Sequence, residues 1–333
     1  NFNASKGSYG GGYHGTPTNV DFLGMAFQPD LVWIKDRLNS ENHYLLDSVR
    51  GKNGGSVFEN VYPNLTNAQA NDNAVTSLDS NGFTLGSGAN GNVNGESNVA
   101  WCWKAGGTAV SGTGTSGITN VEVSANTEAG FSIVKYDGGG TAGGTVTHGL
   151  DSAPELVIVK RTDTSGDWIV GSDYLTSWGH ILQLNLLDAE AGYAGFNSTA
   201  PTTSVFTLGS NNPVNNSSGS YVAYCFHSVD GYQKIGTYTG NSSTTGPLID
   251  VGFRPRFILV KGVTSGYSSH WLLMDSVRDT KTEKNLRLLT NSTAYEEADN
   301  NWKVEFNDNG FQPKSTFSGF NHSNGTYLYL AIA

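Results

Sequence analysis

Asp47 and Asp275 each stand directly before Ser-Val-Arg, in Asp47-Ser-Val-Arg50 and Asp275-Ser-Val-Arg278. An acid beside a hydroxyl is part of a nucleophilic triad that still needs a histidine. The alternative asks for nothing more: the arginine pairs with the acid at a strand end and fixes a turn. That structural reading is preferred, because the middle third of the chain carries Gly171-Ser-Asp173-Tyr at the corresponding place, a change that a shared active site would not tolerate. His14, His43, His148, His180, His227, His270 and His322 are scattered, with none of the His-x-His, His-Glu-x-x-His or Cys-x-x-Cys spacings that hold zinc. Asn71-Asp-Asn73 and Asp299-Asn-Asn301 offer oxygen ligands to calcium. They lack the spaced acids and distal Glu of a dedicated loop, and read as polar turns. No pair of carboxylates stands out for glycoside hydrolysis. The expectation is a protein without catalytic residues, metal or cofactor.

A second kind of chemistry is stacking. Trp101, Trp103, Tyr221, Tyr224, Tyr327 and Tyr329 lie in three short aromatic-rich segments, Asn98 to Trp103, Tyr221 to Phe226 and Tyr327 to Ile332. Exposed aromatic faces stack on sugar rings. In a strand, however, alternate side chains point to opposite faces, so some of the six must face a core. Core or subunit interface is the preferred reading, and glycan contact the alternative.

These segments are positioned by a repeat. Pro29, Pro154 and Pro255 each precede an apolar run that ends in a lysine, Lys35, Lys160 and Lys261. Gly82-Phe83, Val205-Phe206 and Gly310-Phe311 follow, and then Val99-Ala-Trp-Cys102, Val222-Ala-Tyr-Cys225 and Leu328-Tyr-Leu-Ala331. One module is written three times, which marks a repeat architecture. The runs Leu31 to Ile34, Leu156 to Val159 and Phe257 to Val260 are short, apolar and largely β-branched, as buried strands are, and proline is tolerated at a strand start. Asp79-Ser-Asn-Gly82, Asn94-Gly95, Asn307-Asp-Asn-Gly310 and Asn324-Gly325 are hairpin-turn signals.

The predicted fold is all-β, three tandem antiparallel β-sandwich (jelly-roll) modules at 1–105, 129–230 and 231–333. The Gly/Ser/Thr-rich stretch 106–128 reads as a linker that leaves the first module free to orient separately. Gln183 to Ala194 is the one helix-like stretch. Repeat 1 has only the Gly-rich Asn1 to Gly12 where the others have an opening strand, so that strand is expected to be altered or supplied by a neighbour.

Composition bounds the function. The chain has 333 residues, of which 14% are charged and 43 are Gly, the profile of a turn-rich β protein. A formal charge of -10 argues against nucleic acid or an anionic membrane as partner, since both are bound through Lys and Arg clusters. No apolar run approaches the roughly 20 residues needed to cross a bilayer as a helix. Cys102 and Cys225 occupy the same repeat position that Ala331 fills in the third copy, so they read as small core residues. The chain begins at Asn1 rather than Met, which suggests that an upstream piece was removed or omitted. The sequons at Asn64, Asn197, Asn241 and Asn291 are chance products of an Asn/Ser/Thr-rich composition.

Gly252-Phe-Arg-Pro-Arg-Phe-Ile-Leu-Val-Lys261, Trp271-Leu-Leu-Met-Asp-Ser-Val-Arg278, Asn309-Gly-Phe311 and Tyr327-Leu-Tyr-Leu-Ala-Ile-Ala333 resemble a repeat of structural proteins in marine tailed bacteriophages. Repeat 1 shares it through Phe27-Gln-Pro-Asp-Leu-Val-Trp-Ile-Lys35, Leu45-Leu-Asp-Ser-Val-Arg-Gly51 and Asn81-Gly-Phe83, and repeat 2 departs most. The resemblance implies a lectin-like sandwich in a tail fibre, head fibre or virion decoration, displayed on the particle surface. It also implies a homo-oligomer, with a trimer favoured, in contact with other virion proteins and through multivalent binding with a host surface. The alternative is a secreted carbohydrate-binding or adhesive protein, polymerising through exchange of exposed strand edges.

Overall fold

The computed structural model describes residues 8–14, 20–23, 25–55, 57–87, 92–93, 96–264 and 269–333. Each apolar run entered through its proline becomes a strand, Leu31–Asp36, Leu156–Arg161 and Phe257–Gly262. On one side it pairs antiparallel with a closing strand, Ser97–Trp103, Ser220–Phe226 or Thr326–Ile332. On the other it pairs with an outer strand, Tyr44–Asp47, Ile169–Ser172 or Leu272–Asp275. An opening strand, Ser8–His14, Phe131–Asp137 or Gln233–Thr239, lies on the far side of each closing strand. The order opening, closing, Pro-entered, outer is therefore the same in all three main sheets.

A smaller sheet faces each main sheet and completes a sandwich. It is built on Gly82–Leu85 in the first module, Val205–Leu208 in the second and Gly310–Pro313 in the third. Two hairpin signals sit where expected, with Asp79 opposite Gly82 and Asn307 opposite Gly310, whereas Asn324-Gly325 makes no hairpin and joins the short helix Ser318–Asn321 to the closing strand Thr326–Ile332. Asn94-Gly95 lies outside the described residues.

The main sheets are buried on both faces. One face of each packs on its own small sheet in a separate module core, around Phe83, Phe206 and Phe311 respectively. The opposite faces of all three meet in one central cluster that contains Trp33, Trp101, Trp103, Tyr224, Phe257 and Leu330. Phe257 of the third module packs edge-on against Trp101 and Trp103 of the first, with ring centroids 6.1 and 5.5 Å apart, a favoured aromatic geometry. Large apolar faces buried between modules tie them into one body, since burial contributes roughly 25 cal/mol per Å² of apolar surface.

Four further expectations are corrected. The stretch 106–128 is no linker: Val110–Ser111 and Thr119–Asn126 extend the second module's sheet beside Phe131–Asp137. Its alternating valines, Val121 and Val123, are buried in that module's core, a period-2 pattern hidden by the surrounding Gly and Thr. The first module is consequently held against the other two by the central cluster. Repeat 1 also makes its own opening strand, because Ser8–His14 pairs with Ser97–Trp103 in the same register as the other two copies. Gln183 to Ala194 forms no helix; it runs from the end of one strand, His180–Gln183, into another, Ala191–Gly192. Its Leu184 enters the central cluster instead, beside Leu182 of the preceding strand.

Candidate functional site

The six closing-strand aromatics are all buried, at 0–5% exposure. Alternation sorts them. Trp101, Trp103 and Tyr224 point into the central cluster, whereas Tyr221, Tyr327 and Tyr329 point into their own module cores. None presents a face to a soluble sugar. Trp101, Trp103 and Tyr224 thus lie at an interface between modules of one chain.

That interface is a ring of three seams with equivalent contacts. The residue before each outer strand carries a ring N–H, and each donates to a neighbouring module. His43 Nε2 bonds the Leu289 carbonyl at 3.0 Å, Trp168 Nε1 the Tyr62 carbonyl at 2.9 Å and Trp271 Nε1 the Gln183 carbonyl at 2.9 Å. A second set runs through the backbone. Gln69 N donates to Thr162 O at 2.9 Å, Glu190 N to Val263 O at 3.1 Å and Glu296 N to Arg37 O at 3.0 Å. The three acceptors each stand two residues after the repeat lysine. Module 1 thus meets module 3, module 2 meets module 1 and module 3 meets module 2, all in the same sense. Head-to-tail contacts that close are those of a threefold rotation, achieved here within one polypeptide.

The acid and arginine motifs sit in these seams. Arg50 Nε lies 2.6 Å from Asp47, and Arg278 pairs with Asp275, with all four side chains almost wholly buried. In each pair the carboxylate also accepts the N–H groups of the two following turn residues, Val49 and Arg50 or Val277 and Arg278. The remaining capacity is taken by the next module. The Tyr224 hydroxyl donates to Asp47 at 2.9 Å, and Trp101 Nε1 donates to Asp275 at 3.3 Å. Burial alone would raise the Asp275 pKa, but Arg278 and the turn N–H groups outweigh it and leave it lowered. Arg278 further pairs with Glu296 and lies over the Trp101 ring, 5.4 Å from its centroid. Arg37 of the first module reaches the same Glu296 at 2.6 Å.

The seam between modules 2 and 3 replaces this chemistry with apolar contact. Ser172 occupies the register of Asp47 and Asp275 and donates to its own module's Glu155 carbonyl at 2.7 Å. Leu175 stands where the arginines stand, and Leu330 holds the position of Trp101 and Tyr224; both are in the central cluster.

The repeat lysines are buried beside the seams. Lys160 Nζ donates to Thr66 O of the first module at 3.0 Å, and Lys261 Nζ to Leu187 O of the second at 2.8 Å. Lys35 turns back to Asp36 O and Asn39 O in its own module. Burial lowers all three pKa values, to about 8 for Lys35 and Lys160 and about 7 for Lys261. His43 is pushed down to about 3, first by burial and then by the Lys35 charge. It is therefore neutral, which lets Nδ1 accept from Trp33 Nε1 at 3.0 Å while Nε2 donates across the seam.

Among the described residues no group of three or more His, Cys, Asp or Glu is placed to hold a metal. Asp72 accepts the Tyr62 hydroxyl and Asp299 caps a short turn at Asn301 N. Cys102 and Cys225 are free thiols in separate cores, and burial raises the pKa of both. An open cleft at the seam of modules 2 and 3 is lined by Thr176, His180, Glu190 and Val263. Its carboxylate is engaged by Thr176 N and Oγ1. Among the described residues no helix is long and apolar enough to cross a membrane.

Sequence reasoning found the Asp and Arg pairs but not their partners across the seams. The ring donors His43, Trp168 and Trp271 and the acceptors after each lysine were missed. The available signal was the double-sided burial of the closing strands, whose aromatic and small residues alternate. No curated protein matches the chain. The model of a family described as a domain of unknown function, DUF7483, matches residues 6–333, so that the matched unit is the whole three-module ring, and the chain belongs to that family.

Proposed function

We propose that this chain is a non-enzymatic structural protein of a tailed-phage virion, a fibre knob or a decoration carried on the particle surface. The observation that carries the reading is the fate of the reactive side chains. Asp47, Arg50, Asp275, Arg278, His43, Lys160 and Lys261 are buried and spent on holding three modules together. Such use of charge suits a rigid body that survives outside a cell. It also suits the phage-protein resemblance of the Pro-to-Lys, Asp-Ser-Val-Arg and closing-strand motifs. The three modules of one chain stand in the place of the three chains expected of a fibre, so light scattering should give the mass of a single chain, 35.4 kDa. A mass three times larger would restore the homotrimer and move assembly to the outer surface.

The deciding experiment is peptide mass spectrometry on density-purified phage particles from the source, paired with a glycan array probed by the isolated chain. Recovery of the chain in the particle band at a fixed ratio to the major capsid protein supports the proposal. Absence from particles together with saturable glycan binding would replace it with a secreted lectin.

A further inference from the structure

The second module shows how one flank of this sandwich is closed, and the third leaves the same flank open. In module 2, Thr119–Asn126 pairs with the outward edge of the opening strand Phe131–Asp137. The preceding residues run along the other sheet: Thr115 N donates to Thr145 O at 3.0 Å, Thr147 N donates to Thr113 O at 3.1 Å, and Gly114 bridges Val146. Residues 110–126 thus span the gap between the two sheets, and Ile118, Val121 and Val123 fill it.

In module 3 the opening strand Gln233–Thr239 is an edge of its sheet, and Ile249–Asp250 is an edge of the other. The register assigns the equivalences. Tyr238 matches Tyr136, each stacked on its closing-strand tyrosine at 4.9 and 5.1 Å, and Ile249 opposite Phe311 matches Val146 opposite Phe206. Lys234 and Tyr238 face the closing strand, so the N–H and C=O groups of Thr237 and Thr239 point outward, as those of Lys135 and Asp137 do before Thr119–Asn126 covers them. Among the described residues those outward groups have no partner, while the Ile235 N–H is taken by Ser228. Leu248 stands where Thr145 is covered in module 2, and it is 63% exposed. The core below is correspondingly less sealed: Tyr238 and Ile249 are 7% and 6% exposed, against 0% for Tyr136 and Val146.

We propose that this flank of the third module is a strand-accepting site for an extended segment of a partner polypeptide. One arm of the segment lies antiparallel on Gln233–Thr239 and the other on Leu248 to Asp250. β-Branched aliphatic side chains between them cover Tyr238, Leu248 and Ile249, as residues 110–126 do for module 2. Main-chain hydrogen bonds supply affinity and the alternate side chains specificity. A second copy of this chain is disfavoured as the occupant because its own segment of this kind is engaged in module 2. The inference is independent of the virion reading, since it rests on the comparison of two modules.

A synthetic peptide of residues 109–126 serves as the probe, added to the full chain and followed by amide hydrogen exchange. Exchange across 233–250 should slow at least about tenfold at saturation, and Leu248→Asp should weaken binding by about tenfold or more. Leu248 is exposed, so that variant keeps the fold. Thr237→Pro is the second variant, since an edge strand tolerates proline where the N–H faces outward; it should also abolish the protection. The proposal is overturned if 233–250 shows no slowing at about 1 mM peptide. It is equally overturned if protection changes only across 110–147, where the peptide would be replacing the chain's own segment, or if 233–250 becomes protected without peptide as the protein is concentrated.

Discussion

The seams between modules 3 and 1 and between modules 2 and 3 solve one packing problem with opposite chemistry. Both bring an outer strand and its following turn against a neighbour's closing strand. At the first, Asp275, Arg278, Glu296, Arg37 and Trp101 form a buried charged network. At the second, Ser172, Leu175 and Leu330 take the corresponding places, with no ion pair joining the two modules among the described residues. The seam between modules 1 and 2 follows the first pattern, with Tyr224 in the place of Trp101. The acid and arginine are kept wherever the neighbour offers a ring donor, and lost where it offers leucine. The motif is therefore half of an interface, which explains why repeat 2 departs from it. The charged network also closes the one seam whose modules are not consecutive in the chain, where no linking segment holds the two sides together.

Removing one member of the charged seam should have the largest effect. Arg278→Leu leaves Asp275 and part of Glu296 buried without their cation, and breaking a buried pair from one side costs about 3–5 kcal/mol. Thermal melting should show a clear drop for Arg278→Leu. A change within error would mean that the seam is solvated in solution. The double variant Asp275→Ser with Arg278→Leu gives this seam the outer-strand and turn residues of the apolar one, while Trp101 stays where that seam has Leu330. Since an apolar replacement of a buried pair is often neutral, it should melt above Arg278→Leu alone, recovering about 2 kcal/mol through non-additivity. A double variant no more stable than the single one would break the equivalence of the two seams.

The parts of the fold legible in the sequence were those with local signals. Pro29, Pro154 and Pro255 marked strand starts, Asp79 to Gly82 and Asn307 to Gly310 marked hairpins, and the Asp and Arg spacing marked a turn. What was not legible depends on residues far apart in the chain. Tyr224 meets Asp47 and Trp101 meets Asp275 only because the ring closes, and no local period encodes a rotation between modules. Residues 106–128 were misread for the opposite reason: composition suggested a linker, while Val121 and Val123 were strand residues facing a core.

A smaller test isolates the donor on the other charged seam. Tyr224→Phe keeps the stack on Trp168, at 6.5 Å between centroids, and deletes only the hydroxyl that bonds Asp47. Leaving a buried acceptor one bond short costs about 1–3 kcal/mol. Arg50 and the two turn N–H groups still hold Asp47, so the loss should fall at the low end and below that of Arg278→Leu. A loss as large as that of Arg278→Leu would show that the cross-seam bond, and not the ion pair, governs closure.

A pH slope separates the lysine of the apolar seam from the rest. Lys261 is lowered to about 7 in the folded protein, mainly by burial, against roughly 10.4 for an unfolded lysine. Below about pH 7 both states carry the proton and the burial cost is constant. Between about pH 7 and 10 the folded state has released a proton that the unfolded state still binds, so stability rises with pH, by at most about 1.4 kcal/mol per pH unit for each such group. Lys35 and Lys160, at about 8, add to the same rise over a narrower window. Lys261→Met should remove only its own share. Denaturation measured from pH 7 to 9.5 should therefore show a shallower alkaline gain in the variant than in the parent. Equal slopes would mean that the Lys261 ammonium keeps its proton through its bonds to Leu187 and Ser269, and that the apolar seam holds a charge after all.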